Sequence, residues 1–131
     1  MIDPEDIHHY KHSRETLRGL MEISHNALGS DVYLVKLNGA LNARSAEDAK
    51  QTFRDLSNKG ANQVIVDLAN VPFIDSSGLA ALVSGLKTFG GDAKNLRLAA
   101  PQSQAKLLFE LTMFDRVFQI YDSVDDAKQA D

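Results

Sequence analysis

The stretch from Gln63 to Gly91, QVIVDLANVPFIDSSGLAALVSGLKTFGG, limits the fold more than any other part of the chain. Its opening run, Val64-Ile65-Val66-Asp67-Leu68, is too short and too β-branched for a helix. It reads as a strand buried on both faces, as in a parallel sheet. Pro72 blocks easy continuation. Beyond it, Leu79, Leu82, Val83 and Leu86 have the spacing of one apolar helical stripe, and Gly90-Gly91 ends it. Ser76 and Ser77 therefore sit where a strand hands over to a helix, with Asp75 immediately before them. The free N–H groups and partial positive charge of a helix N-terminus suit an anion such as a phosphate.

The flanking segments give the context. Residues 1–20 stand apart as an N-terminal extension: Asp3-Pro4 makes a good helix start, and Ile7, Tyr10, Leu17 and Leu20 give a narrow apolar stripe. Met21 is an equally natural chain start, so the extension is read as an added helix, an upstream start or a non-native leader. From Glu22 the period changes to two, and the turn Gly29-Ser30-Asp31 predicts a hairpin of 22–27 with 32–38. A loop, Gly39 to Arg44, leads to a helix opened by a Ser45–Asp48 capping box, with Ala46, Ala49, Phe53 and Leu56 buried and Gly60 closing it. After the central stretch come a strand at Leu96–Ala99 and a turn at Pro101. A helix capped by Ser103 follows, carrying Ala105, Leu107, Leu108 and Leu111. A strand over Val117–Tyr121 and a last helix opened by Ser123, with Val124 and Ala127 inside, complete the chain.

The order β-β-α-β-α-β-α-β-α predicts an α/β domain over residues 21–131. It has a mixed, mostly parallel sheet of about five strands and about four helices, with right-handed crossovers. At 131 residues the chain is one domain with room for a proper core. A formal charge of −4 argues against nucleic acid or an anionic membrane as the main partner. No cysteine is present, which removes disulfides, thiol catalysis and cysteine zinc sites. No apolar run approaches the length of a membrane span and no signal peptide is visible, so membrane insertion is not expected and a cytoplasmic location is the default.

Enzyme signatures mostly fail. Neither Ser76 nor Ser77 has the glycine two residues earlier that a nucleophile elbow needs, and no histidine follows His25. Neither G-x-x-x-x-G-K-[ST] nor G-x-G-x-x-G occurs. Asp67 and Asp75 could pair as carboxylates or bind Mg²⁺, but Asp67 is better explained as a turn or capping residue. His8 and His12 lie four apart on the leader, where an exposed polar face explains them better than a metal. No catalytic residue, metal site or cofactor is therefore assigned. Ser76 and Ser77 have a plain account as N-caps, each stabilising the helix start by about 1 kcal/mol. A serine here could also receive a phosphoryl group, adding a charge of about −1.5 to −2 against the helix N-terminus without refolding the domain.

The run from Asp67 to Leu79, DLANVPFIDSSGL, resembles the signature of STAS domains of the anti-sigma factor antagonist group, and the likeness extends over about Met21 to Ala130. The resemblance implies that Ser76 is phosphorylated by a partner that is both an ATP-dependent serine kinase and an anti-sigma factor. Ser77 and Gly78 would then shape the helix start and Asp75 the approach to it, with Asn42, Asp75, Ser76, Ser77, Gly78 and Leu79 as the expected partner-binding residues. The unphosphorylated protein would hold the kinase and release the sigma factor, and a phosphatase would reverse the switch. ATP and Mg²⁺ belong to the kinase, so no cofactor is implied for this chain. The family commonly has an aspartate in its Gly-x-Leu-Asp loop, where this chain has Gly39-Ala40-Leu41-Asn42. Asn42 is either an ordinary turn residue or a change in kinase recognition. Two other readings of the same resemblance are a ligand-sensing or scaffold module, and a cytosolic subunit of a lipid transport complex.

Overall fold

The computed structural model describes residues 21–130. The extension 1–20, with its expected helix and its His8–His12 pair, lies outside the described residues. Five strands form one sheet in sequential order: β1 (Glu22–Ala27), β2 (Val32–Asn38), β3 (Gln63–Asn70), β4 (Leu96–Ala99) and β5 (Gln119–Tyr121). β1 and β2 make the expected antiparallel hairpin, Glu22 opposite Asn38 and Ala27 opposite Tyr33. The pairs β2–β3, β3–β4 and β4–β5 are parallel. Helices α1 (Ala46–Asn58), α2 (Ser76–Thr88) and α3 (Ser103–Leu111) form the crossovers, and α4 (Val124–Gln129) follows the last strand.

Each crossover steps to the next strand in the same direction, so crossovers of one hand put their helices on one face. The side chains agree. Val35, Leu37, Val64, Val66, Leu68, Leu96 and Leu98 share a core with Phe53 and Leu56 of α1, Leu79, Leu82 and Leu86 of α2, and Phe109 of α3. The helices α1 and α2 pack so closely that a Cβ on Gly85 would come within 2.6 Å of the Phe53 ring. On the other face, Leu34, Ile65 and Ala99 meet Ala127 of α4. Val64–Val66 is thus buried on both faces, as its composition predicts.

Three local expectations are corrected. Ser45 does not form a capping box, because its backbone is already helical (ψ −12°) and its hydroxyl serves the preceding loop. That hydroxyl accepts from Asn42 N–H and donates to the Ala40 carbonyl. In α3 the cap position is Gln102, not Ser103, and the buried residues are Ala105 and Phe109. Leu107 and Leu111 point to solvent, 54% and 74% exposed. The strand expected from Val117 begins two residues later, because Phe114–Arg116 is a 3₁₀ turn and the Val117 and Phe118 amides both bond the Phe114 carbonyl. The ring of Phe118 packs between those of Phe109 and Phe114, with centroids 6.2 Å apart in each pair.

The second face carries a charged residue, Arg97, only 5% exposed on β4. Its Nε donates to the Lys94 carbonyl, and its Nη1 donates to the carbonyls of Ala127 and Ala130 at 2.8 and 2.6 Å. A guanidinium at the negative end of α4 satisfies carbonyls that the helix leaves unpaired and complements its dipole. Ser123 opens the same helix as expected, its Oγ accepting from Asp126 N–H. Replacing Arg97 by Met should lower stability by about 2 kcal/mol. Urea denaturation is the check, with the amides of α4 losing protection before those of β3.

Candidate functional site

The site forms where the parallel ladder runs past the ends of its strands. Leu41 pairs with Ile74 as an isolated parallel bridge: Leu41 N–H donates to the Phe73 carbonyl, and Asp75 N–H donates to the Leu41 carbonyl. Two residues before Leu41, Gly39 N–H reaches the Asn70 carbonyl, with Gly39 at φ +121°. The loops 39–45 and 70–75 therefore lie side by side, and helix α2 rises from their junction. Gly78 is buried directly against Leu41, where a Cβ would overlap the Leu41 carbonyl oxygen and approach its carbonyl carbon to 2.7 Å. No side chain fits at Gly78 without moving backbone.

The helix cap differs from the sequence expectation. Asp75, in extended conformation, is the N-cap, and its Oδ1 accepts from Gly78 N–H at 2.9 Å. Ser76 and Ser77 occupy the first two helical positions instead. Asp75 outcompetes them because it alone has non-helical backbone and a carboxylate placed at the third amide of the turn. Ser76 is exposed, and among the described residues its hydroxyl has no hydrogen-bond partner. Ser77 is half-buried, and Leu79 is buried in the core beneath.

Asn42 acts within its own loop. Its Oδ1 accepts from Arg44 N–H at 3.0 Å, and its carbonyl accepts from the amides of Ser45 and Ala46. An aspartate could accept the same Arg44 bond, so the amide in place of a carboxylate changes charge at this loop without changing its shape. Asp67 bonds locally too, its Oδ1 accepting from Ala69 N–H within β3.

Other residues of this region are not apparent from the sequence. Gln104 of α3 grips Ile74 with both ends of its amide: Oε1 accepts from Ile74 N–H and Nε2 donates to the Ile74 carbonyl, each at 2.8 Å. Gln102 bonds the end of β3 just before that loop, its Nε2 donating to the Ala69 carbonyl at 2.9 Å. These pairs lie 30 and 33 residues apart in sequence, and no local pattern marks them. Beside Ser76 runs an open groove of about 510 Å³, lined by Leu79, Ala80, Val83, Ser84, Lys87 and Phe114. It is mainly apolar, with one cation at its far end.

Chemically, the arrangement offers an accessible, unbonded hydroxyl at the positive end of a 13-residue helix, next to an apolar groove. Asp75→Ala should cost about 1 kcal/mol of stability through the lost cap. Ser76→Ala should stay within about 0.5 kcal/mol of wild type, because its hydroxyl caps nothing. Thermal and urea unfolding of the two variants would show the difference. Asn42→Asp should likewise leave the unfolding midpoint in place, to within about 0.5 kcal/mol.

Comparison with known proteins bears on the fold and the family. The model of the STAS domain family matches residues 26–127. A protein of Thermotoga maritima is 31% identical over 100 residues, covering 76% of this chain and 88% of that protein. A Thermotoga maritima crystal structure superposes with a TM-score of 0.73 at 30% identity, over 82% of this chain and 92% of that one. The anti-sigma-B factor antagonist of Staphylococcus epidermidis is 32% identical over 82 residues, 63% of this chain and 76% of its own. The Bacillus anti-sigma factor antagonist SpoIIAA, solved in unphosphorylated and phosphorylated forms, shares the fold at 14% identity, with TM-scores of 0.70 and 0.64. It is aligned over 82% of this chain and over 93% and 96% of the respective SpoIIAA chains. With its sheet order, its helix arrangement and most of its length matched, this chain belongs to the STAS domain family, and within it to the anti-sigma factor antagonist type.

Proposed function

We propose that the chain is an anti-sigma factor antagonist that works by partner switching, with Ser76 as the phosphoacceptor. Unphosphorylated, it binds an anti-sigma factor that is also a serine kinase, and so frees the sigma factor. In the transfer step Ser76 Oγ attacks the γ-phosphorus of ATP held by the kinase. The bond to the β–γ bridging oxygen breaks, ADP leaves, and the hydroxyl proton passes to a base of the kinase. A phosphatase returns the serine by hydrolysis.

The observation that carries this reading is the division of labour at the start of α2. Asp75 does the capping, which leaves Ser76 Oγ exposed and unbonded. The identity to the Staphylococcus epidermidis antagonist supports the downstream role. The proposed partner surface is Asn42, Asp75, Ser76 and Ser77, continued by the groove toward Lys87 and Phe114, while Gly78 and Leu79, buried beneath it, seat the helix that presents it. A phosphoryl group on Ser76 places about −1.5 to −2 charge beside the Asp75 carboxylate. The helix dipole offsets part of that repulsion, and the domain keeps its shape. The complex breaks because the partner, which had matched a neutral hydroxyl, must now desolvate a dianion. No catalytic step is assigned to this chain. Among the described residues no helix is long and apolar enough to cross a membrane.

Intact-mass spectrometry of the protein from its own cells, with fragmentation over residues 71–87, tests the reading. A species heavier by about 80 Da, localised to Ser76, is expected. A chain unmodified in every growth phase would sink it, and phosphate on Ser77 would move the acceptor. Ser76→Asp should weaken capture of the kinase by tenfold or more, while Ser76→Ala retains it and takes no label from ATP.

A further inference from the structure

We propose that Gln104 is a positioning residue for phosphoryl transfer, holding the segment that presents Ser76. The inference rests on Ser76 being the acceptor, as read above. In a parallel ladder, a residue whose neighbours bond one flanking strand turns its own N–H and C=O toward the other side. Leu41 bonds Phe73 and Asp75, so the peptide groups of Ile74 face away from Leu41. No strand meets them there, because β4 ends at Ala99 and the chain turns at Pro101 into α3. The Gln104 side chain meets them instead, one oxygen accepting and one nitrogen donating, both at 2.8 Å. Its amide does what the next strand's peptide would do.

The consequence reaches Ser76 in two steps. Ile74 is fully buried and fixed from both sides. Asp75 follows it, and there one amide bond to Leu41 and one carboxylate bond to Gly78 set the first turn of α2. Ser76 is the next residue. Without Gln104, two buried peptide groups lose their partner, and the segment has to move to find water. The hydroxyl would then leave the position an incoming phosphorus requires, a displacement that costs rate steeply.

Two variants and two readouts test this. Amide hydrogen exchange on Gln104→Ala should show Gly78 N–H losing protection by tenfold or more, while Phe53 N–H in α1 stays within twofold. Gln104→Glu has the same size but, when ionised, cannot donate to the Ile74 carbonyl. It should lose most of the same protection, whereas a merely space-filling role would leave it like wild type. Transfer from ATP is then followed with the kinase recovered from the source cells by the wild-type protein. Gln104→Ala should lower kcat tenfold or more with KM within twofold. Partial unfolding of the substrate protein would instead raise KM and spare kcat. Wild-type protection at Gly78 in both variants overturns the proposal, and so does lost protection with unchanged kcat. If wild type accepts no phosphate, the reading of Ser76 fails, and the exchange at Gly78 still decides whether Gln104 sets the α2 start.

Discussion

The carbonyl of Leu41 is the point on which the rest of the molecule turns. It belongs to a fully buried residue, so it requires a partner, and it finds one in Asp75 N–H. With the bonds of Leu41 and Gly39 N–H to Phe73 and Asn70, it ties the loop before α1 to the loop before α2, and the missing side chain of Gly78 lets the helix sit directly on it. The position of α2 follows from this seat. Once its first turn rests on Leu41, Leu79, Leu82 and Leu86 meet the sheet, and Gly85 admits the ring of Phe53 from α1. The core on this face and the location of the exposed serine are thus two results of one close approach.

Serines in this chain illustrate how a hydroxyl is either spent or kept. Ser45 is 2% exposed, and its oxygen both accepts and donates within its loop, so it is structural. Ser123 caps α4 through Asp126 N–H. Ser76 does neither, because the residue before it carries the cap. A carboxylate is a strong acceptor for a helix amide, and placing it at position 75 leaves the following hydroxyl without a hydrogen bond. An aspartate before a serine at a strand-to-helix junction therefore has a physical reason independent of any family motif.

Much of the architecture was legible because it is written in local pattern. The β-branched run Val64–Val66 and the stripe Ala46, Ala49, Phe53, Leu56 each state their element and buried residues, and the turn Gly29-Ser30-Asp31 states the hairpin. The family was legible too, as a resemblance over Asp67–Leu79. What failed did so where tertiary structure chooses between local options. Segment 103–111 is apolar around most of its circumference, so periodicity could not select Ala105 and Phe109 over Leu107 and Leu111. Ser45 and Ser103 look like caps by type, but capping depends on a backbone conformation set by the loops before them. Gln104 and Arg97 were illegible for a stronger reason. Their partners are backbone groups some 30 residues away, and a carbonyl has no side-chain identity to read in a sequence.

The sequential order of the sheet, β1-β2-β3-β4-β5, bears on how the protein is made. Every strand pairs with the one synthesised just before it, so each closure spans only a turn or one crossover, and its entropic cost grows slowly with length. Assembly can follow the chain as it emerges. Ser76 lies in the middle crossover, whereas Gln104 comes from the next. A chain that has emerged only through α2 already exposes the serine, yet lacks the amide that fixes Ile74. The segment before Ser76 thus gains its full set of hydrogen bonds only once α3 has docked, so a residue of one crossover completes the setting of another.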